Sequence, residues 1–218
     1  MKVIIFDFDG TLADTLEPLL AITNRLAAEF GYPQLDLEAV HKLQRLSTRE
    51  IIRESRVPVF KIPFLLRRLK ADLHNEIHRV NVFPGIPQAL STLHESGYQL
   101  GIVTSNSTDN VNVFLKVHQL DSLFDFVHAG TTIFGKHRII QRILKQRAID
   151  VSKVLYVGDE TRDIESAGKL PIQIASVTWG FNTRQVLEQH NPDYLIDHPQ
   201  DLLHIVGAGH HTRSEGRI

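Results

Sequence analysis

Short apolar runs that stop at polar residues alternate along this chain with stretches in which apolar positions recur every three or four residues. The runs at 2–6, Gln99–Val103, Phe126–His128, 154–157, 172–177 and Tyr194–Ile196 read as buried strands. Between them, the 3/4 spacing of Leu16, Leu19, Leu20, Thr23, Leu26, Ala27 and Phe30 predicts a helix that Gly31 and Pro33 end. Further helices are predicted over 37–46, 88–95 and 138–147, and around Val111, Phe114, Leu115 and Leu120. Ser47 and Glu50 have the spacing of a reciprocal cap, so a short helix is expected after them. Leu66, Leu69, Leu73, Ile77 and Val80 form one continuous stripe, read as a single amphipathic helix. Strand and helix alternate, which predicts an α/β fold built on a doubly wound parallel sheet.

One block breaks the alternation. Only helices are predicted between Asp14 and Val82, so they form an insertion after the first strand. The division expected is a Rossmann-like core of residues 1–14 and 83–206, a helical cap over 15–82, and a frayed tail over 207–218. His210 and His211 fall in that tail, where two exposed histidines ordinarily do nothing.

Composition narrows the chemistry. The apolar fraction of 42% and charged fraction of 22% belong to an ordinary globular protein. No apolar run approaches the ~18 residues that span a bilayer, and no signal-peptide pattern opens the chain, so a cytoplasmic location without membrane contact is expected. Cysteine is absent, which excludes disulfides, zinc–thiolate sites and thiol nucleophiles. The net charge is -1, yet between His41 and Val80 ten Lys and Arg face four Asp and Glu, leaving 14 against 21 elsewhere. A basic segment in an acidic protein suits an anionic small molecule. With only Phe60 and Phe64 as aromatics there, and no recognition motif, nucleic acid is disfavoured.

The first strand ends in Asp7, Asp9, Gly10 and Thr11. In open parallel sheets the crevice beyond the strands' carboxyl ends is where ligands bind, and alternation along an ideal strand would aim Asp7 and Asp9 to one side. Two carboxylates so close call for a cation, and oxygen ligands favour magnesium. Asp7-x-Asp9-Gly10-Thr11-Leu12-x-Asp14-Thr15 resembles the first motif of the haloacid-dehalogenase-like hydrolases, in their phosphatase branch. The resemblance extends through Thr104 with Ser105 and Asn106, through Lys136 at a helix start, and through Gly158-Asp159-x-x-x-Asp163. Phe83-Pro84-Gly85-Ile86, Val177-Thr-Trp179-Gly180 and the segment before Asp197 are similar to the phosphoglycolate-phosphatase-like group. Lys136 departs from the family pattern in being followed by His137 instead of proline; Lys145 and Lys153 are poorer candidates.

The resemblance implies a magnesium-dependent phosphatase acting on a small anionic phosphomonoester. It implies Asp7 as nucleophile and Asp9 as general acid and base. Thr104 and Lys136 would steady the phosphoryl group, with Gly10, Thr11, Ser105 and Asn106 around it. Asp7, the Asp9 backbone carbonyl and Asp159 would hold the metal, and Asp163 would hold the metal's waters or Lys136. The helical block would be a lid with hinges near Asp14 and at Phe83 to Gly85, and Arg45, Arg49, Arg53 and Lys61 are its candidate anion binders. Trp179 suits the site entrance and the core equally. A phosphomutase, or a regulatory protein binding an acidic partner, would carry much the same residues.

Overall fold

The computed structural model of the protein describes residues 2–55, 57–130 and 135–208. Six strands, β1 (Val3–Phe6), β2 (Gln99–Val103), β3 (Phe126–His128), β4 (Val154–Gly158), β5 (Gln173–Val177) and β6 (Tyr194–Ile196), form one sheet in the order β3-β2-β1-β4-β5-β6. Every neighbouring pair is parallel. The expected α/β sheet is therefore present. The chain winds outward from β1 to β3, then returns to β4 on the other flank of β1. That reversal opens a crevice at the carboxyl ends of β1 and β4.

Alternation along β1 sorts the core into two layers. Ile4 and Phe6 pack with the helices α1 (Leu16–Phe30), α5 (Ile86–Glu95), α6 (Thr108–Val117) and α10 (Asp201–Ala208). Val3 and Ile5 pack with α7 (Lys136–Gln146), α8 (Thr161–Gly168) and α9 (Arg184–Gln189). No described helix is long and apolar enough to cross a membrane.

Between β1 and α5 lie α1, α2 (Leu37–Leu43), α3 (Thr48–Glu54) and α4 (Ile62–His74). Gly31 ends α1 in the left-handed conformation, φ 77°, and its N–H donates to the Ala27 carbonyl. Ser47 and Glu50 make the reciprocal cap of α3, with Ser47 N–H donating to Glu50 Oε2 at 2.8 Å. The helix predicted over 37–46 stops at Leu43, because the Gln44 and Leu46 carbonyls accept from Asn182 Nδ2, each at 3.1 Å, instead of continuing the helix.

The stripe from Leu66 to Val80 is not one helix. α4 starts earlier, since Pro63 sits in the first turn, where a missing N–H costs nothing. It ends at His74, where the Asn75 and Glu76 amides turn back to Asp72 and Leu73, and a single 3-10 turn, Ile77–Arg79, follows. The apolar spacing survives because Leu73, Ile77 and Val80 are all buried on the core. Two helices, α9 and α10, lie beyond those predicted from the sequence. α10 carries Gly207 and Ala208, which corrects the tail boundary, since Leu202 and Val206, four apart, anchor that helix on the sheet. Residues 209–218, including His210 and His211, lie outside the described residues.

Candidate active site

Asp7 follows β1 directly and stays on the ladder, its N–H donating to the Val157 carbonyl at 2.8 Å. Beyond it the chain curls. The Phe8 carbonyl accepts from the amides of Thr11, Leu12 and Ala13, and Gly10 adopts φ 74°. Strand alternation therefore reaches Asp7 but not Asp9, whose direction the turn sets. The Asp7 carboxylate is buried; Oδ1 accepts from the Phe8 amide at 2.7 Å, and Oδ2 lies 2.5 Å from Lys136 Nζ. That second contact is an ion pair.

Lys136 opens α7, fully buried, where the positive end of the helix would ordinarily disfavour it. Two carboxylates offset this, Asp7 and, at 2.7 Å, Asp163 Oδ1. Burial works against the ammonium, but Asp163 and Asp7 outweigh it and raise the lysine above its ordinary value. Asp163 sits in the first turn of α8. Its Oδ1 also accepts from Tyr156 OH at 3.0 Å and its Oδ2 from the Glu160 amide at 3.2 Å. Burial opposes its charge as well, yet Lys136 and Arg162 hold it below the usual carboxylate range. Burial pushes Asp7 up, against the pull of Lys136.

The carboxylates of Asp7, Glu160 and Asp163 bring oxygens within 4.8 Å of one another, a different trio from the Asp7, Asp9 and Asp159 set that the resemblance implied for metal. Each member of the trio has a cation: Lys136 for Asp7 and Asp163, Arg162 for Glu160. Asp159 does not. It is buried, its oxygens accept from Thr11 Oγ1 and the Phe181 amide, each at 2.8 Å, and among the described residues no cation pairs with it. Burial, then Glu160, Asp7 and Asp163, push its carboxyl well above the ordinary value. A buried carboxylate beside Asp7 that lacks a counter-charge fits a hard divalent cation.

On one side Asp159 is packed closely against the Gly180 backbone. A methyl group on Gly180 would fall 2.3 Å from Asp159 Cβ and 2.4 Å from the Gly10 carbonyl oxygen, both rigid neighbours. Gly180→Ala is accordingly expected to destabilise the fold by about 1–3 kcal/mol, a melting point roughly 2–10 °C lower. Calorimetry showing an unchanged melting point would refute this tight cradle.

Asp9 is half-buried at the mouth of the crevice, with Asn106 Nδ2 at 2.9 Å from Oδ1 and 3.1 Å from Oδ2. Burial and the Asp7 charge push its carboxyl up to about 6, against the Asn106 and Thr15 hydrogen bonds. The Asn106 nitrogen is therefore engaged with Asp9. Thr104 is buried just past β2, and its Oγ1 accepts from the Asn106 amide at 3.0 Å. The helix that follows is capped by Ser107, three residues later.

Asp9, Gly10, Ser105, Asn106, Asp159 and Trp179 line a cavity of about 820 Å³ that runs under α1, α3 and α4. Trp179 stands at this cavity, its Nε1 donating to the Thr11 carbonyl at 3.2 Å. Its basic lining residues are Arg67, Lys70 and Arg162. Arg45, Arg49, Arg53 and Lys61 are not brought to it; Arg49 pairs with Glu165 on α8 at 3.2 Å, and Arg53 lies 4.0 Å from Glu50. Tyr156, Glu160, Arg162 and Lys70 were missed. A tyrosine in the middle of a buried strand, whose hydroxyl must find a partner, was the one readable signal.

A family model described as "Haloacid dehalogenase-like hydrolase" matches residues 4–177. The chain is 40% identical over 206 residues to a phosphoglycolate phosphatase of Synechococcus elongatus, covering 94% of this chain and 97% of the other. It is 27% identical to a pyrophosphatase of Bacillus velezensis, covering 95% and 97%. Among solved structures, a haloacid dehalogenase-like hydrolase from Streptococcus pneumoniae superposes with a TM-score of 0.77 at 23% identity, covering 94% and 98%, a likeness of fold.

Proposed function

The chain belongs to the haloacid dehalogenase-like hydrolases, and from that premise we propose that it is a magnesium-dependent phosphatase of small phosphomonoesters, 2-phosphoglycolate among them, working through an aspartyl-phosphate on Asp7. The observation that carries this reading is the buried Lys136, held between Asp7 and Asp163, beside an Asp9 whose carboxyl titrates at about 6. On this reading the buried Asp7 is the nucleophile and Asp9, at the cavity, the proton carrier, and their electrostatic surroundings differ.

An Asp7 carboxylate oxygen attacks phosphorus in line; its bond to phosphorus forms as the ester O–P bond breaks. Asp9 gives its proton to the departing alkoxide. Asp9, now a carboxylate, takes a proton from water as the water oxygen attacks phosphorus. The Asp7–phosphorus bond then breaks, inorganic phosphate leaves, and both carboxyl groups return to their starting forms. Lys136, paired with Asp7, would offset the charge spread over the phosphoryl oxygens. Magnesium, held by the Asp7 and Asp159 carboxylates and the Asp9 main-chain carbonyl, supplies further neutralisation of that charge when bound. The helices of residues 15–82 serve as the lid that keeps bulk water from the acyl-phosphate.

The test is phosphate release from a panel of phosphomonoesters, 2-phosphoglycolate included, with magnesium and with EDTA. Magnesium-dependent release is expected; no release from any ester refutes the reading.

Asp9 also links function to stability. Its folded pKa of about 6 lies above the ordinary 3.8, so the fold prefers the protonated form. The resulting penalty is absent below pH 3.8, grows as pH rises, and is complete above 6. In EDTA at pH 7.5, Asp9→Asn should therefore raise stability by on the order of 1–3 kcal/mol while removing most turnover. The gain should vanish near pH 4. A variant that melts at or below wild type at pH 7.5 contradicts it.

A further inference from the structure

Lys70 stands on α4, half-buried, and lines the same cavity as Asp9, Ser105 and Asn106. Its ammonium makes no hydrogen bond or ion pair among the described residues. The other two basic residues at the cavity are differently engaged. Arg162 is bound to Glu160, and Arg67 is exposed with its guanidinium 6.0 Å from the Phe64 ring. Aliphatic residues, Leu19, Ile51, Leu66 and Leu73 among them, make up much of the cavity wall on which Lys70 stands. A charge on such a wall lacks hydration and gains strongly from an opposite charge. Burial pulls the ammonium below its ordinary value, with only the Asp9 charge acting the other way, and the Asp9 oxygens already accept from Asn106.

The main-chain position of Lys70 relative to Asp9 is fixed by a chain of amides. Asn110, fully buried on α6, donates from Nδ2 to the Lys70 carbonyl at 3.0 Å and to Asn106 Oδ1 at 2.9 Å. Asn106 in turn donates to Asp9, and His74, one turn along α4, meets Asn110 Oδ1 at 2.9 Å. The backbone of α4 at Lys70 is thus registered against the reaction centre, from the lid side.

We propose that Lys70 is a specificity-determining residue that binds a carboxylate carried by the substrate's leaving group, beyond the phosphoryl group seated at Asp7. The proposal rests on the phosphatase reading above. One half-buried ammonium without a partner matches one carboxylate charge; Arg67, which also has no ion pair among the described residues, is exposed to solvent.

The test compares 2-phosphoglycolate with ethyl phosphate, which offers the same scissile group without the carboxylate, on wild type, Lys70→Met and Lys70→Arg. In Lys70→Met the ratio of kcat/KM for 2-phosphoglycolate to that for ethyl phosphate should fall at least tenfold, mostly through KM. Lys70→Arg should recover most of the ratio. An unchanged ratio, or an equal fall for both esters, overturns the proposal, the second outcome placing Lys70 on the phosphoryl group or in the fold. If Lys70→Met fails to fold, Lys70→Gln is read in the same way. Were wild type to hydrolyse neither ester, the phosphatase reading would fail separately. Calorimetric binding of 2-phosphoglycolate would still decide the lysine's role, with equal affinity for wild type and Lys70→Met overturning it.

Discussion

Asp7→Asn should lower phosphate release from 2-phosphoglycolate by about 10⁴-fold or more, equivalent to roughly 5 kcal/mol of transition-state stabilisation, and leave the fold intact. The amide keeps the shape of the carboxylate, so the Phe8 amide at 2.7 Å still finds an acceptor. What it lacks is an anionic oxygen to bond to phosphorus. Lys136 would lose one partner but keep Asp163 at 2.7 Å, so its charge stays neutralised and the melting point should move by only a few degrees. Loss of turnover in a folded protein is the expected combination. Steady-state rates paired with a thermal melt distinguish it from unfolding, and a variant retaining more than about a tenth of wild-type turnover removes Asp7 from the chemistry.

The second large effect concerns stability. Lys136→Met removes the cation shared by two buried carboxylates and fills its volume with an apolar chain. Two buried carboxylates deprived of their shared cation should cost about 3–5 kcal/mol, a fall of on the order of 10 °C in melting point. The sign with pH follows from Asp163, whose carboxyl Lys136 and Arg162 hold below the usual range despite burial. In wild type, that carboxylate contributes stability that is present above the ordinary pKa of 3.8 and lost as pH falls through its folded value. The variant lacks the Lys136 share of that contribution, so the gap between the two proteins should be widest near neutrality and narrow in acid. Lys136→Met with Asp163→Asn should recover a good part of the loss, because the second change removes one stranded charge. Urea unfolding of the single and double variants at two pH values tests this. A single variant as stable as wild type at neutral pH would show that the ion pairs contribute little net stability.

Much of this architecture was readable because it rests on local rules. Apolar runs ending in polar residues gave the strands, and 3/4 spacing with Gly31 and the Ser47–Glu50 cap gave α1 and α3. Boundaries failed where long-range contacts decide them. α2 stops at Leu43 because Asn182, from the far end of the chain, takes the carbonyls of Gln44 and Leu46. α4 breaks after His74 although its apolar spacing continues, because a 3-10 turn presents Ile77 and Val80 to the same core. The site shows the same division. Asp7 and Lys136 could be picked out because a charge at a strand end, or a lysine at a helix start, is locally unfavourable and so informative. Their meeting at 2.5 Å is a consequence of the sheet order and could not be read from spacing. Glu160 and Arg162 occupy positions where any helix-start residue would fit. Lys70 is one cation among ten in its segment, and only the packing of α4 against α6 distinguishes it from Arg45, Arg49 and Arg53.

The central claim is that phosphorus becomes bonded to Asp7. The direct measurement is to quench the enzyme during turnover of 2-phosphoglycolate with magnesium, reduce it with borohydride, and locate the product by peptide mass spectrometry. Borohydride converts an aspartyl-phosphate to homoserine, so homoserine should appear at position 7, only with substrate, and not in Asp7→Asn. Turnover at the wild-type rate with residue 7 unmodified, or with the modification at another carboxylate, would contradict the account.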